Sequence, residues 1–324
     1  MTQVEIREAR PEDRDAVFEF ASETWSREEI KEGKDEGEEE DADDEGISGG
    51  ETTPRDGWDY IPEVWDDWLE ADEGVVLVAV PEDGDDAVGV VRVTAFLTGE
   101  AWLEGMRVHP DHRREGVATA LTDEALDVAA KRNAEVVRSM TFEWNEQGVE
   151  LLESLGFERS VELRHARGFG FPYGSQIEEA TFDESLDVIR ETDAYDAVGG
   201  LHATSDWKMV SIPETVTNFR EGTEVLAFEE DDDVRSVMIC DGVRTNTSGV
   251  EERTELVLGF VWCDPEYASQ LALDIRGEAR DRNLNDALVF LPDDEEYIGS
   301  FEQAGFDVSD LDYVYERDIS GREW

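Results

Sequence analysis

The sequence predicts an α+β chain of two domains, residues 1–170 and 171–324. Three observations carry that reading. Runs rich in β-branched residues alternate with helical patterns along the chain. With 324 residues, 39% of them hydrophobic, the chain can bury two cores of ordinary size. Three segments of the first half also recur, in the same order, in the second.

In the first half, "VEIR" (4–7) reads as an opening strand. "PEDRDAVFEFASETW" follows as a helix, with Pro11 in its first turn and Val17, Phe18 and Phe20 as its apolar surface. Residues 27–57 are acidic, Gly-rich and nearly free of large apolar groups. Such a segment cannot bury enough surface to offset its ordering entropy, so a flexible insertion is expected there. Solvation is its expected task; a substrate-gating loop is the alternative. "YIPEVWDDWLEAD" (60–72) spaces Ile61, Val64, Trp65, Trp68 and Leu69 along one helical face. "GVVLVAVPE", "AVGVVRVTAF" and "AWLEGMRVHP" read as three strands. Then come a helix, "VATALTDEALDVAAKRN", a strand, "EVVRSMTFEW", and a helix, "NEQGVELLESLG", which stops at Gly156. "RSVELRHARGF" gives a further strand, and "RGFGFPYGS" (167–175) a linker.

The repeat fills the rest. "EIREARPEDRDAVFEF" (5–20) is echoed by "QIEEATFDESLDVIRE" (176–191), near an offset of 171. "LTDEALDVAAKRN" (121–133) is echoed by "LALDIRGEARDRN" (271–283), at 150, and "FEWNEQGVELLESLGF" by "FLPDDEEYIGSFEQAGF" (290–306), at 149. The fall in offset between the first and second pairs matches an insertion in the first half.

Composition excludes several functions. With 28 basic and 84 acidic residues, the net charge is 28 − 84 = −56. A nucleic-acid surface would be basic, so no nucleic-acid partner is expected. The acidic excess repels itself in dilute buffer, and molar salt shrinks the screening length to about 3 Å. The composition therefore reads as adaptation to a salt-filled cytoplasm, as in salt-in halophiles. Cys240 and Cys263 are the only cysteines, and no His/Cys cluster has zinc spacing, so no metal is expected. No signal peptide and no membrane span are visible, which points to the cytoplasm.

The chemistry centres on "HPDHRREGVATAL" (109–121), which joins a strand ending at Val108 to a helix beginning near Gly116. Amides at a helix N-terminus are unpaired and carry partial positive charge. Gly116 and the small Ala118 let a phosphate approach the backbone, and Arg113 and Arg114 can bond its oxygens. The stretch is neither GxxxxGK[ST] nor GxGxxG.

The pattern R-x-x-G-x-A, here Arg113 to Ala118, resembles the acyl-CoA pyrophosphate loop of the GNAT superfamily of N-acetyltransferases. "IREARPEDRDAV", "WLEGMRVHPDHRREGVATAL" and "NEQGVELLESLGF" resemble further elements of that family, in family order over residues 4–170. The resemblance implies two GNAT-like domains, each a mixed, mostly antiparallel twisted sheet with flanking helices. It also implies direct transfer of an acetyl group from acetyl-CoA, as cosubstrate, to a primary amine, without a metal. That is an acyl-CoA-dependent N-acyltransferase of EC 2.3.1 type. Strand 102–108 would splay from its neighbour and offer backbone near Met106, Arg107 and Val108 to the pantetheine arm. The amides of Arg114, Glu115, Gly116, Val117, Ala118 and Thr119 would hold the pyrophosphate, with Arg113 beside them. Asn145 matches the asparagine that contacts the cofactor arm. Glu104 matches a carboxylate that takes the amine's proton. By simple alternation, Glu104, Met106 and Val108 share one face. The tyrosine that protonates the leaving thiolate in the family is replaced by Leu152, and Tyr173 cannot be placed from sequence. His109 and His112 are expected to be structural or to face the phosphates.

In the second half, the 150-residue offset sets Cys263 over Arg113 and Glu266 over Gly116. Asp264, Pro265 and Glu266 make a poor anion cradle, so a degenerate copy without acetyl-CoA binding is expected. Cys263 is expected to be an inert apolar residue. Candidate acceptors are a small amine, an amino acid and a protein N-terminus. The chain is either a monomer with pseudo-dimeric halves or a homodimer. A non-catalytic acyl-CoA sensor or protein-interaction module is the alternative.

Overall fold

The computed structural model describes residues 3–22, 59–176, 178–179, 182–213, 219, 222–231, 233–246 and 253–322. The insertion expected at 27–57 lies outside them. The chain divides into two compact units. Among the described residues, unit 1 takes 3–22, 59–159 and 315–322, and unit 2 takes 160–314. The boundary expected at 170/171 falls inside unit 2.

Unit 1 opens with β1 (Val4–Glu8) and a 3-10 turn at Pro11–Asp13 that leads into α1 (Arg14–Ser22). Asp13 fixes this entry: its buried carboxylate accepts from the Arg10 amide at 2.7 Å and takes two bonds from the Arg7 guanidinium. Then follow α2 (Ile61–Glu70), β2 (Gly74–Pro81), β3 (Gly89–Ala95), β4 (Glu100–Val108), α3 (Val117–Lys131), β5 (Val136–Phe142) and α4 (Glu146–Ser154). The strands lie in the order β1-β2-β3-β4-β5, antiparallel except for the parallel pair β4/β5. One core forms where α1 and α2 press Val17, Phe20, Ile61, Trp65 and Trp68 onto Val76, Val78 and Val90. The apolar spacing read in 60–72 is therefore the buried face of α2.

Unit 2 runs through β6 (Glu158–Phe169), β7 (Glu178–Glu179), α5 (Phe182–Arg190), α6 (Asp193–Ala197), β8 (Leu201–Ala203) and β9 (Met209–Ser211). It continues with β10 (Glu224–Glu230), β11 (Asp233–Asn246), β12 (Arg253–Cys263), α7 (Ala268–Asp281), β13 (Asp286–Pro292), α8 (Glu295–Gln303) and β14 (Phe306–Val308). Its strand order is β7-β10-β11-β12-β13-β6, with β12/β13 as the parallel pair. From Ser160 on, β6 belongs here because residues 163–169 pair with β13. The last strand, β15 (Asp312–Asp318), returns the chain to unit 1 from Tyr315 onward. There Tyr315 bonds Glu153 at 3.2 Å, Glu316 pairs with Arg138 at 3.3 Å, and the Ile319 amide bonds Glu135 O at 2.8 Å.

Candidate functional site

The site begins with an irregularity in β4. Val90 pairs with Arg107 and Arg92 with Glu104, so two steps on β3 face three on β4. The extra residue makes a bulge at Gly105–Met106. Gly105 sits at φ +69°, and a Cβ there would stand 2.6 Å from the Trp68 ring and 3.5 Å from the Tyr60 hydroxyl. Only glycine fits both constraints. The bulge corrects the expected alternation. Glu104 shares a face with Arg107, while Val108, opposite Gly89, falls on the other.

Glu104 points to the side covered by α2. Arg92 Nη1 donates to its Oε1 at 2.8 Å, with side-chain exposures of 5% for Arg92 and 14% for Glu104. The Arg92 guanidinium lies over the Trp68 ring, 5.3 Å from its centroid. Arg107 lies over Tyr60 and donates from Nε to Asp59 Oδ2 at 2.8 Å, a buried pair. Asp59 Oδ1 meanwhile accepts from the Ile61 amide, which ties the start of α2 to β4. The Arg107 side chain is thus paired with Asp59. Burial lowers the Arg107 pKa, but Asp59 and Tyr60 outweigh it and the net shift is upward. Burial pushes the Tyr60 phenol far above its ordinary range, against the opposing pull of Arg107.

The second feature is a splay. The parallel ladder between β4 and β5 joins Glu100, Ala101 and Trp102 to Val136, Val137 and Arg138 and ends there. Residues 103–108 run on without that neighbour. Met106 O accepts from Arg107 Nη1 at 3.0 Å, and Val108 O from Arg113 Nε at 3.3 Å.

The third feature is the turn into α3. Pro110–His112 form a 3-10 turn capped by His109, whose Nδ1 accepts from the Asp111 amide at 3.2 Å. The Nδ1 of His109 is thus taken up by the turn. His112 sits 3.5 Å from Glu115. Arg114 (φ +62°) and Gly116 (φ +91°) both take left-handed conformations that fold the loop back onto the helix start. Gly116 has no side chain to cap α3, and the Ala120 amide makes the bond to Gly116 O. The amides of Val117, Ala118 and Thr119 thus precede the helical ladder, at the positive end of the helix dipole. The Val117 side chain is buried, so its amide is what it can offer there.

Asn145 caps α4. Its Oδ1 accepts from the Gly148 amide at 3.0 Å, and its Nδ2 donates to Thr141 at 3.1 Å. A Cβ on Gly148 would meet both groups, at 2.5 and 2.6 Å. Leu152 is buried core. The Tyr173 hydroxyl bonds Gln270 in unit 2.

Unit 2 carries the same strand, 3-10 turn and helix, but with different contents. β12 ends at Cys263, the 3-10 turn is Pro265–Tyr267, and α7 starts at once with Ala268. Cys263 therefore matches Val108, Pro265 matches Pro110, and Arg113–Gly116 have no counterpart. This corrects the expected overlay of Cys263 on Arg113. The 150-residue offset fits the helices and β5 with β13; the four-residue loop shifts it for the strands that precede it, β4 and β12. Tyr297, the third residue of α8 as Gly148 is of α4, donates from its hydroxyl to Cys263 O at 3.1 Å and accepts from the Cys263 amide at 2.8 Å. Burial pushes the Cys263 thiol up to about 12 and that of Cys240 to about 11, so neither is a nucleophile near neutrality.

The sequence reading missed Asp59, Tyr60 and Arg92, and placed Trp68 only on the apolar face of its helix. Arg92 did leave a signal, a lone charge in the apolar strand "GVVRVTA". Among the described residues, no group of three or more His, Cys, Asp or Glu could hold a metal ion, and no helix is long and apolar enough to cross a membrane.

Residues 23–157 match the model of the acetyltransferase (GNAT) family, a stretch short of half the chain. No curated protein matches. Two solved structures share the fold over nearly the full length. One is a candidate acetyltransferase of Thermoplasma acidophilum, 17% identical, with a TM-score of 0.55 over 97% of this chain and 100% of that one. The other is a GCN5-related N-acetyltransferase of Sphaerobacter thermophilus, 14% identical, with a TM-score of 0.57 over 98% of this chain and 96% of that one. The fold is thus a mixed α+β fold with a mostly antiparallel sheet, as in GNAT acetyltransferase structures.

Proposed function

Taking the acetyltransferase (GNAT) match over residues 23–157 as premise, we propose that unit 1 is an acyl-CoA-dependent N-acetyltransferase and that unit 2 is a degenerate copy. The observation that carries this is the splay of β4 from β5 after Trp102/Arg138, beside the uncapped start of α3. The splayed strand offers Met106, Arg107 and Val108 backbone to an extended pantetheine arm. The amides of Arg114 to Thr119 take the pyrophosphate, with Arg113 moving from Val108 O to the phosphate oxygens. Asn145 supports the arm through its cap on α4.

The reaction is direct. The amine nitrogen forms a bond to the acetyl carbon, and the C–S bond breaks. The amine's proton passes to the Glu104 carboxylate, and the departing thiolate takes a proton from solvent. A small amine and a protein N-terminus both suit this scheme, and the cytoplasm is the expected setting. In unit 2 the loop Arg113–Gly116 has no equivalent and the Tyr297 hydroxyl fills the Cys263 backbone groups, so one acetyl-CoA per chain is expected.

Calorimetric titration with acetyl-CoA in multi-molar KCl tests this, and one site per chain is the expected result. Two sites would reject the degenerate reading of unit 2. No binding by a folded chain would reject the enzyme. Binding with no thiol release across amine acceptors would favour an acyl-CoA sensor, a reading that Leu152 in the tyrosine position supports.

A further inference from the structure

The carboxylate assigned to proton removal is not held by its own strand alone. Arg92 stands directly across the ladder from Glu104 and bonds Oε1 at 2.8 Å. The arginine is itself buried, and its guanidinium is stacked on Trp68. Trp68 in turn packs edge-on to Tyr60, at 5.9 Å between ring centroids. Glu104 keeps this face through its regular pairing with Arg92, and the bulge that follows at Gly105–Met106 brings Arg107 to the same face.

We propose that Arg92 is a positioning residue of the acyl-transfer site, fixing one oxygen of the Glu104 carboxylate so that the group meets the attacking amine in one orientation. The inference rests on Glu104 being the proton acceptor. Arg92 touches neither acetyl-CoA nor the amine and acts through Glu104. Trp68 acts one step further out, as the surface that keeps the guanidinium in its plane. A planar, two-dimensional donor suits this task, because a flexible carboxylate loses rate when its orientation is free. A neutral residue at 92 would leave the carboxylate unheld.

The test measures thiol release from acetyl-CoA by the full chain in molar KCl. The acceptors are water alone and a primary-amine panel comprising a polyamine, an amino-acid amide and a short peptide with a free N-terminus. Glu104→Gln is the reference, expected to lower kcat about 100-fold. Arg92→Met is expected to lower kcat at least about tenfold while KM for acetyl-CoA stays within about twofold. Arg92→Lys keeps the charge without the planar fork and is expected to recover only part of that loss. Adding Arg92→Met to Glu104→Gln should cost nothing further, because the group it positions is already gone. The double variant buries no lone charge, so it separates positioning from folding. A kcat for Arg92→Met equal to that of the unaltered chain overturns the proposal. So does an equal loss in both backgrounds, which marks a purely structural role. If Glu104→Gln alone costs nothing, the assignment of the proton acceptor fails, and Arg92 falls with it. If the unaltered chain releases no thiol, acetyl transfer itself fails.

Discussion

At the scale of single residues, buried charge decides what each group can do. Glu104, Arg92, Arg107 and Asp59 lie within one patch under α2, yet each cation has its own carboxylate. Removing one partner of such a pair leaves the other buried and alone, which costs more than the pair contributes. Asp13 shows the same logic away from the site. Burial raises its pKa, but the two bonds from Arg7 and the Arg10 amide win, and the carboxyl is held below its ordinary range. A carboxylate depressed in the folded state adds stability that is present above its unfolded pKa and lost as pH falls through the folded value. Asp13→Asn should therefore be less stable than the unaltered chain at neutral pH. The gap should close as the pH drops below about 4, read from denaturant unfolding at a series of pH values. A gap that stays constant with pH would mean that the ionised form contributes nothing. Of these residues, sequence reasoning singled out Glu104 and Arg107 because their positions are set by a motif. It missed Asp59, Tyr60 and Arg92 because their roles depend on which face they occupy. A one-residue bulge, invisible to simple alternation, sets that face at β4.

At the scale of elements, the strand–turn–helix from β4 to α3 explains why the two units differ. The 3-10 turn occurs in both, but only unit 1 inserts four residues before the helix. Those four include both left-handed residues, Arg114 and Gly116, so the loop is as much a backbone device as a charged one. Gly116→Ala should leave the fold intact and weaken acetyl-CoA binding about tenfold, since a non-glycine residue at φ +91° costs about 1–2 kcal/mol. Calorimetry on the folded variant checks it, and unchanged affinity would remove the loop conformation from cofactor binding. The start of α4 offers a second comparison. Gly148→Tyr, which copies unit 2 at Tyr297, should abolish acetyl-CoA binding by crowding Asn145 and Thr141. Sequence periodicity did find the helices of unit 1. The spacing of Ile61, Trp65 and Trp68 is the buried face of α2, and Trp65→Ala should cost about 3–5 kcal/mol in unfolding free energy. Overlaying the repeats failed for β4 with β12, while β5 with β13 fits, because a helix-to-helix offset is blind to the length of the loop before the helix.

At the scale of the whole molecule, the chain's path and its charge both matter. The units are not two successive stretches of sequence. The residues from Tyr315 onward pack in unit 1, where Arg322 pairs with Asp127 and Arg317 bonds Leu155 O. Such a return is nonlocal, so the linker at 167–175 was a reasonable boundary signal that led to the wrong side of β6. The net charge of −56 is the second global constraint. Many of the arginines are already engaged with carboxylates, as Arg7, Arg92, Arg107, Arg167 and Arg282 are. They neutralise near neighbours and leave the surface excess intact. At 0.1 M salt the screening length is about 10 Å, so acidic side chains on one face still repel one another. At 1 M it is about 3 Å, and that repulsion is largely gone, while the buried pairs are screened much less. Stability should therefore climb with KCl from dilute buffer into the molar range. Sodium chloride should give a similar rise if screening is the cause, because screening does not depend on which monovalent cation supplies it. The thermal midpoint measured across both salts checks this. A flat or falling midpoint would show that surface repulsion is not what limits the fold. A rise in KCl alone would point to specific cation binding by the acidic surface in place of screening.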